Sequence, residues 1–310
     1  MISVKSPSIS ATKPHLLADE IELYLLFFHS GDHFSKSDLI TILTQDATDE
    51  ESTESSAESN LKYENKIETC FRHFQYRANA FSEFYPFNIN SSGNLELLPF
   101  TVKSAVYQFL LVASMLSQVG KSDSTLLANK FEQICAKALK LWNNNLQVKI
   151  FGAGSNDRNN FFGSGTRDAL CKLAEFVSAT PHRDEIYKKR IDGSFKISNS
   201  GDAGLDIVAC QPFNDFAAGC LSIFGQCASK KEHWWHKKHE ANPINFQTIL
   251  SFNNAPLNVV FIPVCFRDSN GEWYEEVAPT GCLLIDRVRI CSMLAGGQID
   301  DISLGTFVAA

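Results

Sequence analysis

No stretch of the chain approaches 18 consecutive apolar residues, so no membrane span is expected. The N-terminal MISVKSPSISATKPHLL lacks an apolar core of signal-peptide length, which leaves the cytoplasm as the expected compartment. The nine cysteines are dispersed and form no CxxC pair, which argues against a zinc ribbon or a dithiol redox motif. They read as reduced, small core residues. HExxH is absent too, and His233, His236 and His239, spaced i, i+3, i+6, do not keep three imidazoles on one helix face. A zinc site is therefore not indicated. Gly152, Gly154, Gly163 and Gly165 enrich one loop, but neither GxxxxGK[ST] nor a strand–GxGxxG–helix context surrounds them. That loop reads as a domain linker and helix start. No internal repeat is present.

Charge of one sign is also scarce once its source is located. The net charge of −7 rests largely on Gln45 to Asn60, where Asp46, Asp49, Glu50, Glu51, Glu54 and Glu58 stand without a Lys or Arg. The remaining chain is near neutrality, so local patches rather than global charge decide what binds. The tract itself, rich in Ser, Thr and Glu, reads as a solvated, disordered insertion at 45–60.

What is present divides at a change of composition after Asn145. Before it, Leu16, Leu17, Ile21, Tyr24, Leu25 and Phe28 recur at helical spacing, and Ser30-Gly31-Asp32 reads as a stop. A second apolar segment follows at 35–44. Residues 61–84 look helical, the 85–100 stretch suggests a short hairpin, and 102–119 is a helix buried on more than one side. Leu127, Phe131, Ile134, Ala138 and Leu141 then mark an amphipathic helix over 125–142. Residues 1–148 are thus expected to be a helical domain.

Residues 149–310 read differently, as helix (167–178), strand, strand, strand, helix, strand. A turn and a strand are expected over 182–199, a strand at Asp206 to Ala209, and another at Cys220 to Ala228. A helix through Trp234, Trp235, Lys237 and Lys238 follows, then a helical turn at 246–252, the buried strand NVVFIPVC (258–265), and a strand or helix over 282–294. Asp286, among apolar neighbours, is expected to pair with Arg287 or Arg289 at the surface. The fold class is α/β (α+β), with a mixed central sheet flanked by helices in the second half.

The chemistry concentrates in SGDAGLDIVACQPFNDFAAGCLSIFGQCASKKEHWWHKKHE, residues 200–240. Phosphodiester hydrolysis assisted by a divalent cation needs hard oxygen ligands. Asp206 supplies a carboxylate and Gln226 an amide oxygen, 20 positions apart but able to meet on adjacent strands. Strand alternation puts Gln226 on one face with Phe224 and Ser222, and Leu221, Ile223 and Cys227 on the other. The Cys227 backbone carbonyl is a candidate third ligand. A lysine near the metal would orient the attacking water or offset phosphate charge. Lys238 is favoured for this, with Lys237 and Lys230 as rivals, while Lys230, Lys231 and Lys237 suit backbone phosphates.

GDAGLD…GQCA resembles the restriction-endonuclease-like PD-(D/E)XK superfamily, in particular its Mrr-like branch. There a Gly-Asp-Gly-x-Asp strand precedes one ending in Gln-x-Lys. The resemblance covers roughly residues 165–265. It implies that Asp206 and Gln226 are the metal-binding pair, that Asp202 matches the earlier acid, and that Mg²⁺ (or Mn²⁺) is the cofactor. The family's lysine falls on Ala228, so a helix lysine would have to replace it. Asp168 is a further possible outer acid. The expected activity is endonucleolytic cleavage of DNA in restriction or anti-phage defence, beside an ATPase or sensor partner and without a membrane. The alternatives are a catalytically inactive nuclease-fold subunit that binds nucleic acid or a partner protein, and a small-molecule- or nucleotide-sensing regulator.

Overall fold

A computed structural model describes residues 1–31, 33–47, 56–187, 203–215, 217–229, 234–299 and 304–310. The chain forms two compact units that interleave in sequence. The first comprises 1–127, 263–275 and 299–310, and the second 128–262 and 276–298. A single cut near residue 148 does not describe them, because the chain returns to the first unit after Ile262. Both helices and mixed sheets are present, which places the protein in the α/β class. Among the described residues no helix is long and apolar enough to cross a membrane.

The first unit carries β1 (Ile2–Val4), α1 (Pro14–Phe27), β2 (His33–Phe34), α2 (Lys36–Ala47), α3 (Ser56–Phe81), β3 (Phe87–Ile89), β4 (Leu95–Leu97), α4 (Val102–Ser114) and, near the C-terminus, β12 (Phe307–Ala309). The expected hairpin forms as β3 and β4, closed by the Asn90 side chain and the positive φ of Gly93, and β2 joins β4. Helix α4 starts at a capping box between Thr101 and Ser104 and is buried over most of its surface, as its apolar sequence requires. In α1, periodicity points to one apolar face, yet His15, Asp19, Glu20 and Glu22 are buried as well. Each of these carboxylates has a partner. Asp19 and Glu22 meet Arg77 of α3, while Glu20 accepts from the Ser10 and Ala11 amides.

Two imidazoles share this interior. Burial, opposed by Asp19 and assisted by Arg77, drops His15 from the usual 6.5 to about 3. Burial and Arg77 likewise drop His73 to about 4, against Asp268 and Asp19. Both Nδ1 atoms are buried without a hydrogen-bond partner, so neither ring has a site ready for an added proton. Below pH 6.5 the unfolded chain takes up protons that the folded unit refuses. Stability from these groups is therefore whole above that pH and falls as pH drops toward the folded values. The two sites together should cost about 2.5 kcal/mol between pH 7 and pH 5.5. Urea denaturation at the two pH values measures this, and equal midpoints would show that the rings accept protons freely in the folded state.

The second unit contains most of α5 (Lys121–Trp142), then β5 (Gln147–Ile150), α6 (Thr166–Phe176), β6 (Thr180–Pro181), α7 (Arg183–Tyr187), β7 (Ile207–Gln211), β8 (Leu221–Cys227), α8 (Trp234–Lys237), β9 (Leu250–Ser251), β10 (Leu257–Phe261), β11 (Leu283–Ile285) and α9 (Arg287–Leu294). Its main sheet runs β11-β10-β8-β7-β5. β8, β10 and β11 are parallel, whereas β7 is antiparallel to both β8 and β5. Val208, Cys210 and Phe224 face a core made with α6 and with Phe246 and Ile249. Ile223, Val259 and Ile285 face the other way and share a cleft with Leu139 and Trp142 of α5 and Met293 of α9. The two sides of β8 thus divide by alternation.

Three local expectations need correction. Arg183–Tyr187 is a helical turn, not a strand, and residues 188–199 lie outside the described residues. The helical turn comes earlier than 246–252, at Pro243–Phe246 under an Asn242 cap, and Leu250–Ser251 instead pairs with β6. Asp286 is no surface partner: it is fully buried and caps α9, accepting from the Arg289 amide at 3.2 Å.

Candidate active site

Asp206 stands just before β7, where Ala203 and Gly204 take positive φ and turn the chain into the strand. A Cβ on Gly204 would come within 3.1 Å of the Glu240 carbonyl oxygen. Glycine at 204 therefore admits backbone, and so does Gly225, which packs against Ile207. The Asp206 main chain is pinned from both sides: its N–H donates to the Gly225 carbonyl, and its carbonyl accepts from Phe151 and Gly152.

The structure brings Asp206 and Gln226 into contact. Gln226 Nε2 donates to Asp206 Oδ2 at 2.6 Å, and the Cys227 amide donates to the same oxygen at 2.7 Å. Asp206 is 6% exposed and Gln226 5%. The other end of the Gln226 amide is the unusual part: Oε1 is buried and has no hydrogen-bond partner. Reversing the amide would set that oxygen against the carboxylate, so the orientation follows from charge. A buried acceptor without a donor costs roughly 1–3 kcal/mol, and native chains carry few of them.

A second carboxylate lies close by that the sequence reading passed over. Glu132 of α5 sits against Gly152, its Oε2 only 2.7 Å from where a Cβ would stand. Gly152 in turn donates to the Asp206 carbonyl. The Cys135 and Cys227 thiols are neighbours. Burial, and behind it this contact and the charges of Asp206 and Glu132, push Cys227 far above the thiol range, so its sulfur is no thiolate ligand. Cys227 reaches Asp206 through its amide. The one signal for Glu132 in the sequence was an acid next to the apolar stripe of α5, a common surface pattern.

The lysines are placed elsewhere. Lys238 lies past the end of the four-residue α8 and donates to the Ala278 and Thr280 carbonyls at 3.2 and 3.0 Å. Lys237 pairs with Glu240 at 2.7 Å. Lys230, Lys231 and Asp202 lie outside the described residues. Ala228, in the position of the family's lysine, is buried. Asp168 is exposed on the first turn of α6 and is engaged by the Tyr187 hydroxyl. Trp234 is a core residue, which removes it from any nucleic-acid surface, while Trp235 is half-buried.

Among the described residues no group of three or more His, Cys, Asp or Glu side chains could hold a metal ion. Asp206 and Gln226 carry hard oxygens, of the kind Mg²⁺ and Mn²⁺ prefer, but the amide turns its Nε2 and not its Oε1 to the carboxylate. Mg²⁺ habitually keeps several waters, so a site built on these two buried side chains would need solvent access beside them. Compared with protein-family models, curated proteins and solved structures, the chain matches none.

Proposed function

We propose that the second unit is a restriction-endonuclease-like domain of the PD-(D/E)XK kind, a metal-dependent endonuclease that hydrolyses DNA phosphodiester bonds. The observation that carries this reading is the Asp206–Gln226 pair, with its buried, unpartnered amide oxygen. Its setting adds support. The pair sits where an antiparallel strand, β7, meets parallel β8 and β10, after a helix and an antiparallel first strand.

In this reading Asp206 would hold Mg²⁺ or Mn²⁺, and Gln226 Oε1 would join it once the amide turns over from the pose in which Nε2 faces the carboxylate. When bound, the cation polarises the phosphoryl oxygen and lowers the pKa of a coordinated water. The chain's own residues fix the pair in place. Main-chain bonds hold Asp206, the Cys227 amide orients its carboxylate, and Glu132 adds negative charge that favours cation entry. Restriction or anti-phage defence, beside an ATPase or sensor partner, is the role that suits such an enzyme. The protein would then work in the cytoplasm.

The test is incubation of the purified chain with supercoiled plasmid and Mg²⁺ or Mn²⁺, with chelator in a parallel reaction. Metal-dependent relaxation or linearisation is expected. Gln226→Leu removes the amide oxygen and a donor to Asp206, and should slow cleavage roughly 10–100-fold at fixed metal, recovering in part as metal is raised. Folding should change little, because the variant also removes an unsatisfied buried acceptor. The second reading, an inactive nuclease-fold subunit, is favoured by Ala228 and by Lys237 and Lys238 being engaged elsewhere. Binding of DNA with no cleavage of DNA or RNA under any metal condition would establish it.

A further inference from the structure

Lys238 is half-buried in a turn, its ammonium capped by two neutral carbonyls of the segment 276–281. Asn258 of β10 secures both sides of that contact. Its Nδ2 donates to the Lys238 carbonyl at 2.9 Å and to the Gly281 carbonyl at 3.0 Å. The segment also folds on itself: the Thr280 amide donates to the Val277 carbonyl, and the Cys282 thiol to that of Pro279. Its apex is Val277, 79% exposed.

The sheet register relates this assembly to the candidate site. Asn258 lies opposite Phe224, and Val260 lies opposite Gln226. Asn258 and Gln226 therefore share a face on neighbouring strands, offset by two positions. Strand spacings put their Cα atoms roughly 8 Å apart. The Asn258 side chain also ends in a buried oxygen with no hydrogen-bond partner. Two unpartnered amide oxygens thus occupy one face of the sheet. Beside Asn258 is a lysine whose main chain is fixed while its flexible four-carbon stem is turned to a loop.

We propose that the segment 276–281 is a latch that stores Lys238 away from the Asp206–Gln226 pair, and that displacing the segment releases the ammonium toward that pair. The proposal rests on the nuclease reading and gives it a regulated state. Two neutral carbonyls are a weaker claim on an ammonium than a carboxylate and a scissile phosphate. Once the latch opens, the released side chain supplies the positive charge that Ala228 cannot. Exposed Val277 is the point at which a partner can push the segment aside.

The test reads the lysine and the reaction separately, on the full chain. Lys238 acylation by an amine-reactive ester is followed by mass spectrometry in the wild type, in Asn258→Ala and in Thr280→Pro, alongside plasmid cleavage in Mg²⁺. Thr280→Pro removes the amide that closes the surface turn and leaves the core untouched, so it serves if Asn258→Ala fails to fold. Opening the latch should raise Lys238 labelling about 5–10-fold and cleavage by a similar factor, and Lys238→Met should cancel the gain in cleavage. Unchanged labelling in both variants overturns the latch. Labelling that rises while cleavage stays at the wild-type rate also overturns it, because the freed lysine then does nothing at the site. A chain that cuts no DNA in any variant, with labelling raised, refutes the nuclease reading instead and leaves only the loop contact.

Discussion

Asp206→Asn is expected to lower metal-dependent cleavage about 1,000-fold, close to 4 kcal/mol of transition-state stabilisation, while leaving the second unit folded. The substitution preserves shape and removes only the charge and part of the accepting capacity. In the wild type one carboxylate oxygen takes two donors, the Gln226 amide and the Cys227 N–H. An asparagine can still accept through Oδ1, and its main-chain bonds to Gly225, Phe151 and Gly152 do not depend on the side chain. The negative charge that a divalent cation needs is lost entirely. Asp206→Ala, by contrast, strands two buried donors at roughly 1–3 kcal/mol each and confounds activity with folding. Cleavage rates of the asparagine variant over a range of Mg²⁺, with its thermal midpoint, separate the effects. Wild-type cleavage in Asp206→Asn would mean that the reacting centre lies elsewhere in the chain.

The adjacency of Asp206 and Gln226 was legible because it depends on local rules. A turn containing glycine aims the acid, alternation selects the face of Gln226, and strands close in sequence pair with each other. Glu132 was not legible, since its approach to Gly152 depends on how α5 crosses the sheet, a long-range fact with no local mark. Lys238 shows a different limit. Helical spacing groups it with Trp235, but α8 ends at Lys237, so the rule lapses one residue too soon and the side chain follows a loop 40 positions away. Domain boundaries failed for the same reason as Glu132, because the return of 263–275 to the first unit leaves no compositional trace. Composition did locate the helical character of the first unit, yet it gave no hint that polar residues of α1 would be interior.

Those polar residues carry the second large expectation: Arg77→Met should destabilise the first unit by about 3–5 kcal/mol at pH 7. Arg77 is fully buried and its guanidinium divides its bonds three ways. Nη1 contacts Asp19 at 2.8 Å and Glu22 at 2.7 Å, and Nη2 donates to the His15 carbonyl at 2.7 Å. Burial alone opposes its charge, but Glu22 and Asp19 more than offset this and hold it cationic. The Tyr85 and Tyr107 hydroxyls complete the coordination of Glu22, donating at 2.7 and 2.6 Å. Burial and the Glu22 charge push the Tyr85 hydroxyl far above its ordinary range, so it remains a donor. Methionine fills much of the volume and answers none of the charge, leaving two carboxylates interior without a cation. Arg77→Lys should recover only part of the loss, because a single ammonium cannot match the three directions of the planar fork. Neutralising the acids as well, in Asp19→Asn/Glu22→Gln/Arg77→Met, should restore most of the stability, since the cost lies in the unpaired charges. Urea denaturation of the three variants separates these terms. If Arg77→Met stayed within about 1 kcal/mol of the wild type, the interior carboxylates would not depend on Arg77 for their charge balance, because protonating even one of them at pH 7 would itself cost about 4 kcal/mol.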